Sequence, residues 1–251
     1  MTTLCYDGSF EGLLTAVFEL YERRLQHVRL IKGEWISTAL FEEVIKVITD
    51  DKKASRVLSG LKKRMSGTGL QRLYAAHVAE IEGEDNQLLG YIRYVFDSRQ
   101  NIEEDYSNKY VMRLSEIIRI VRREKHRMEA FVRFQKLKDE TFYAGIEPDF
   151  NVLPLLIKHF RNRYGDQKWL IYDIKRNYGI YYNLHDTQFI MLDFSTAHAS
   201  DVILAYNEQE SLYQDLWKNY FKSVNIAARK NTKLHLRHLP KRYWRNLTEK
   251  I

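Results

Sequence analysis

The chain is poor in the residues that carry the most easily recognised chemistry. It has one cysteine, Cys5, in 251 residues. That excludes a disulfide framework, a cysteine-based zinc site and a self-contained iron–sulfur cluster. Three prolines and 11 glycines exclude a low-complexity or collagen-like chain. No apolar run approaches the roughly 18 residues of a membrane span. No basic segment followed by an apolar core opens the N-terminus, where Asp7 and Glu11 stand instead, so a cytoplasmic protein without a secretory leader is expected. Glycine-rich phosphate loops, H-E-x-x-H, zinc-deaminase and G-x-S-x-G signatures are all missing, and Gly67-Thr68-Gly69 is too short for a nucleotide fingerprint. No cofactor and no metal site are expected. His235 and His238 have no carboxylate or cysteine nearby to complete a ligand set, and neither has His185-Asp186.

Hydrophobic residues make up 45% of the chain, enough for a packed core, and the length suits one large domain or two small ones. The formal charge of +7 is concentrated at one end. Residues 218–250 hold ten lysines and arginines against one acid, Glu249, so the rest of the chain is slightly acidic. A basic end on an acidic body points to a polyanionic partner, most often a nucleic acid.

Periodicity predicts an α+β fold, with a helix-rich N-terminal half containing short strands, an antiparallel meander in the C-terminal half and a basic helical C-terminus. Strands are expected at 2–6, 27–31 and 42–49. Helices are expected from Phe10, after a Ser9 cap, and over 52–65, 70–81 and 87–96. An uninterrupted amphipathic helix is predicted from Asn108 to Lys138, with Val111, Leu114, Ile117, Ile118, Val121, Met128, Phe131 and Val132 on one face. Glu124, Lys125 and Gln135 intrude on that face, and Arg119, Arg122, Arg123, His126 and Arg133 lie opposite. Thr141–Glu147 alternates like a strand, and Pro154 opens a helix through Phe160. Trp169–Ile174, Gly179–Leu184 and Gln188–Phe194 read as the meander. Asn207 caps a last long helix whose buried stripe includes Leu212, Tyr213, Leu216 and Trp217. Pro240 opens a short terminal helix. The whole chain, 1–251, is expected to be one domain, with sub-regions 1–105 and 106–251 dividing near Asp97–Asp105.

Two readings stand for the basic residues. Arg229, Lys230, Lys233, Arg237, Lys241, Arg242 and Arg245 could neutralise phosphates, helped by Arg122, Arg123, His126 and Arg163, with Trp244 stacking on unpaired bases. Alternatively the terminal helix packs Trp244 and Leu247 on the core and leaves its charges in water. Glu124 with Lys125 could be a buried pair, a pair at the rim of the core, or a functional acid and base. Glu124, His126 and Asp173 are the candidate catalytic groups. For Asp173, within Trp169-Leu170-Ile171-Tyr172-Asp173, an ion pair at a sheet edge or an interface is the plainer expectation.

Five stretches together resemble a bacterial family described as "probable DNA metabolism protein". They are Tyr6-Asp7-Gly8-Ser9-Phe10-Glu11-Gly12-Leu13-Leu14, Glu124 to Phe134, Pro148 through Pro154 to Tyr164, Trp169 to Asp173, and Asn225 through Arg229-Lys230-Asn231 to Trp244. The resemblance implies a partner encoded nearby, a DNA modification or repair protein of the radical-SAM class. It also implies kinship with domains fused to uracil-DNA-glycosylase-like proteins. With no cluster of three cysteines and no glycosylase motif here, it implies a DNA-binding accessory protein whose partner carries the hard chemistry. The alternatives are a nucleic-acid-processing enzyme built on Glu124, His126 and Asp173, or a protein scaffold that binds no nucleic acid.

Overall fold

The computed structural model describes residues 1–33, 43–191, 210–224 and 239–250. The chain is an α+β protein and divides into two compact units, Met1–Val121 and Arg122–Ile251. The division falls inside the central helix, and the stretch Asp97–Asp105 lies wholly within the first unit.

The first unit is built on a three-stranded parallel sheet, with β1 (Thr2–Tyr6) between β2 (Val28–Lys32) and β3 (Glu43–Lys46). Leu4 stands opposite Leu30 on one side and Ile45 on the other. A central parallel strand is covered on both faces, and Thr3, Leu4, Cys5 and Tyr6 are all buried. Helix α1 (Phe10–Glu22) starts at the expected cap, where Ser9 Oγ accepts from Gly12 N at 2.9 Å. Asp7 holds that turn. It accepts from the Ser9 amide and hydroxyl, and from Thr49 Oγ1 beyond β3. Asp50 caps α2 (Asp51–Lys62), its carboxylate accepting from the Lys52 and Lys53 amides. Ser66 caps α3 (Gly67–Val78), and Glu103 accepts from the Ser66 amide and hydroxyl, so a carboxylate of the chain itself sits at that N-terminus. Helix α4 (Asp85–Asp97) follows.

The central helix, α5, runs Lys109–Phe131 and stops seven residues short of the predicted Lys138. Its sequence continues in helical rhythm, but Arg133 Nη1 folds back to the carbonyls of Ala130, in the last turn, and of Val132, just beyond it, at 2.9 and 3.2 Å. Gln135 is therefore not a polar intrusion on a helix. With Lys136 it forms β4, which pairs antiparallel with β5 (Phe142–Ile146).

The second unit holds a five-stranded sheet in the order β4-β5-β6-β7-β8, with β6 (Trp169–Asp173), β7 (Tyr178–Tyr182) and β8 (Thr187–Ile190). The predicted meander is present in β6, β7 and β8. β5 joins β6 in parallel through helix α6 (Leu153–Arg163), which carries Pro154 in its first turn. β7 needs Gly179, since a Cβ there would stand 2.8 Å from the Tyr172 ring. Helix α7 (Glu210–Val224) and two 3-10 turns, η1 (Lys241–Asn246) and η2 (Thr248–Lys250), complete the described elements. Asn207, Phe194, Arg229, Lys230, Lys233, Arg237, His235 and His238 lie outside the described residues. No helix among the described residues is long and apolar enough to cross a membrane.

Candidate nucleic-acid interface

Glu124 is buried in the second unit, at 2% exposure. Both carboxylate oxygens accept from Tyr243 Oη, at 2.6 and 2.7 Å, and Oε1 also accepts from the Asp149 amide at 3.0 Å. Arg242 stands 3.4 Å and Arg127 3.6 Å from Oε2. Arg242 also pairs with Asp149 at 2.7 Å and donates to Tyr243 Oη at 2.6 Å. Burial, and then the hydrogen bond to Glu124, push the Tyr243 hydroxyl well above its ordinary range, which fixes it as the donor. The intrusion at 124 is thus a satisfied buried anion. Lys125 pairs with Glu129.

Asp173 ends β6, the middle strand of the sheet, and is fully buried. It is not at a sheet edge. Burial raises its carboxyl, and Arg176 Nη1 at 2.9 Å opposes that shift. The same guanidinium donates to the carbonyls of Pro148 and Asp149. Glu124 and Asp173 therefore meet through the Pro148–Asp149 turn, one on the Asp149 amide and the other through Arg176. Neither lines a cleft among those described below, and His126 stands exposed on α5, 4.0 Å from Glu129.

Those of the expected DNA-contacting residues that are described are dispersed. Arg122, Arg123 and His126 are exposed on α5. Arg242 is committed to Glu124 and Asp149, and Arg245 pairs with Glu147. Trp244 is half-buried. Its indole donates to the Leu239 carbonyl, and Lys241 and Lys250 lie over its ring at 6.0 and 5.0 Å. Leu247 is buried, so that part of the packing reading of the terminal segment holds.

Arg163 lies somewhere more telling, in a cleft of about 930 Å3 within the second unit. Helix α6 contributes His159, Phe160, Arg163 and neighbouring Tyr164. The end of α5 and β4 contribute Glu129, Arg133, Phe134 and Lys136. Helix α7 contributes Tyr213 and Trp217. On one side Phe134, Phe160 and Tyr164 form an aromatic cluster with centroids 5.4–6.1 Å apart. Arg163 sits 5.5 Å above the Tyr164 ring and donates to its hydroxyl at 3.2 Å. No carboxylate pairs with Arg163 among the described residues.

The α7 side is the main departure from the sequence reading. Leu212, Tyr213, Leu216 and Trp217 are not a buried stripe; Tyr213 is 54% and Trp217 38% exposed. The described anchors of α7 are polar. Glu210 accepts from the Lys136 amide at 2.8 Å, and Trp217 Nε1 donates to Glu249 at 2.9 Å. Glu249 in turn takes Arg133 through two hydrogen bonds, and the Arg133 guanidinium lies 5.5 Å over Trp217. Burial would raise the Glu249 carboxyl, but the hydrogen bonds from Arg133 and Trp217 outweigh it and hold it below the ordinary glutamate range. Glu129 also faces His159, with Nδ1 at 3.6 Å, while His159 Nε2 has no hydrogen-bond partner among the described residues.

The cleft was not legible as a unit. Tyr213 and Trp217 are one helical turn apart, the same signal as a core stripe. His159, Arg163 and Tyr164 lie within the stretch that carries the family resemblance, which was the only pointer to them.

A second cleft, of about 840 Å3, lies at the carboxyl ends of β1 and β2 in the first unit and is lined by Gly8, Lys32, Gly33, Gly83 and Asp85. Asp85 there accepts from Tyr6 Oη at 2.8 Å and pairs with Lys32 at 3.2 Å. No group of three or more possible metal ligands occurs among the described residues.

Fold and cleft define an α+β protein with an aromatic cleft of mixed charge in its second unit. The chain belongs to the DUF4130 family, a domain of unknown function that matches residues 82–249. The matched region contains α4, α5 and the whole described sheet and cleft of the second unit. No curated protein matches the chain.

Proposed function

We propose that this protein is a DNA-binding accessory protein of DNA repair or modification, acting in the cytoplasm beside a radical-SAM partner encoded nearby and without a catalytic step of its own. The observation that carries the reading is Arg163. It is an exposed guanidinium with no carboxylate partner among the described residues, set at a cleft that also presents Tyr213, Trp217 and Tyr164. Cations beside accessible aromatic faces are the combination that grips a nucleic-acid strand. The +9 segment 218–250 and Arg122 and Arg123 on α5, which have no carboxylate partner among the described residues, add sequence-independent attraction. The burial of Glu124 and Asp173 within satisfied networks favours an accessory role over acid–base catalysis by those two groups.

The test is DNA affinity measured across a salt series. Affinity should fall steeply with salt, and Arg163→Ala should lower the slope of log affinity against log salt by about one. A protein that binds no DNA at low salt, yet co-purifies with the radical-SAM partner, is a scaffold and refutes this reading.

A further inference from the structure

We propose that the cleft lined by α6 and α7 takes an unpaired nucleobase, with Tyr213 as its stacking platform and Arg163 on the adjoining phosphate. This rests on the DNA-binding reading and adds the strand state. Three observations carry it. Tyr213 is more than half exposed although it lines a concave cleft, and among the described residues its hydroxyl has no hydrogen-bond partner. Trp217, one turn along the same face, is fixed by its hydrogen bond to Glu249 and by Arg133 over its ring, so the α7 wall is held in place before any ligand arrives. On the α6 side the Phe134–Phe160–Tyr164 cluster is likewise closed upon itself, with Arg163 across Tyr164.

An aromatic face recessed in a cleft cannot meet the bases of an intact duplex, whose faces are covered by their neighbours. It can meet a base that has left the stack. The cleft, at about 930 Å3, falls within the usual range for small-ligand sites of roughly 300–1,000 Å3. Its charged lining is nearly balanced, with Arg133, Lys136 and Arg163 against Glu129 and Glu210. Arg133 and Lys136 are paired with Glu249 and Glu140, which leaves Arg163 as the phosphate contact. Such a lining favours a base with one phosphate over a run of phosphates. The base could belong to a single strand or be turned out of a duplex.

Fluorescence anisotropy on the full chain, with three labelled DNAs of equal length, tests this. The DNAs are a single strand, its perfect duplex, and that duplex carrying one unpaired central base. The single strand and the bulged duplex should bind at least about tenfold more tightly than the perfect duplex. Tyr213→Ala should weaken binding of the single strand roughly five- to hundredfold, the span of one lost base stack. It should leave perfect-duplex binding and the melting temperature unchanged, and Tyr213→Phe should restore the loss. A bulged duplex that binds no better than the perfect one confines the site to single strands. Equal affinity for all three DNAs, or a Tyr213→Ala variant that binds like the parent, overturns the base site and leaves DNA binding standing. Failure to bind any of the three overturns both.

Discussion

A carboxylate as deeply buried as Glu124 is stable only because every direction around it is answered. Tyr243 and Arg242, the Asp149 amide and Arg127 supply hydrogen bonds and positive charge from three separate points of the chain. Removing one member of such a set leaves the others desolvated and unmatched. Glu124→Gln keeps the shape and removes the charge, so it should lower unfolding stability by about 1–3 kcal/mol in a denaturant titration. DNA affinity should stay within twofold, since Glu124 lines no described cleft. Loss of a catalytic turnover with unchanged stability would contradict this. His77 makes the other residue-scale prediction. It is buried in the first unit, with Nε2 on the Gly8 carbonyl at 3.1 Å. Burial, then the Lys32 charge, lower its pKa to about 4, against the opposing pull of Asp85 and Glu80. As pH falls, the unfolded chain takes up the proton first, near the ordinary value of 6.5. Stability from the neutral imidazole is therefore full above that pH and lost progressively down to about 4. The loss should be on the order of 3 kcal/mol at the acid end. Equilibrium unfolding between pH 7 and 5 should show this slope, and His77→Gln should flatten it.

At the scale of elements, the end of α5 matters most. Apolar spacing alone carries the helix to Lys138, because Val132 continues the stripe and no glycine or proline interrupts it. Beyond Phe131 the chain is instead held by Arg133, by the pairing of β4 with β5 and by Glu210 on the Lys136 amide. Arg133 donates to the Ala130 carbonyl in the last turn, binds Glu249 through two hydrogen bonds and covers Trp217. It therefore joins α5, η2 and α7. Arg133→Ala should cost about 2–3 kcal/mol, as expected for lost charge-assisted hydrogen bonds. Lysine should not restore it, since an ammonium cannot make the forked contact with Glu249. Thermal melts of the three proteins check this, and equal melting temperatures for the lysine variant and the parent would contradict it.

On the scale of the whole molecule, the C-terminal segment is both core and charge. Tyr243 and Leu247 are buried, while Lys241 and Arg245 are exposed. Truncation at Ser223 would remove the Tyr243 and Arg242 partners of Glu124 and disturb the fold, so it cannot isolate the contribution of charge. Neutralising Lys241 and Arg245 to Gln leaves the buried anchors in place. If the segment adds to the DNA attraction, the double variant should further reduce the salt slope seen with Arg163→Ala. An unchanged slope would confine the attraction to the cleft and the remaining basic residues.

The sequence by itself determined most of the local structure and the asymmetry of charge. Ser9 and Asp50 stand where caps form, Pro154 stands where a helix begins, and the strands β6 to β8 alternate with turns between them. These features depend on neighbours in the chain, so they are legible from it. Only the tertiary structure decided where the long-range pairs fall. It set β1 between two parallel strands, put Asp173 on the middle of a sheet and matched Glu124 with Tyr243, 119 residues away. It also left Tyr213 and Trp217 lining a cleft where their spacing reads as core. An amphipathic helix records that one face is apolar. Whether that face is covered depends on elements distant in sequence, and here the described anchors of α7 are the polar ones.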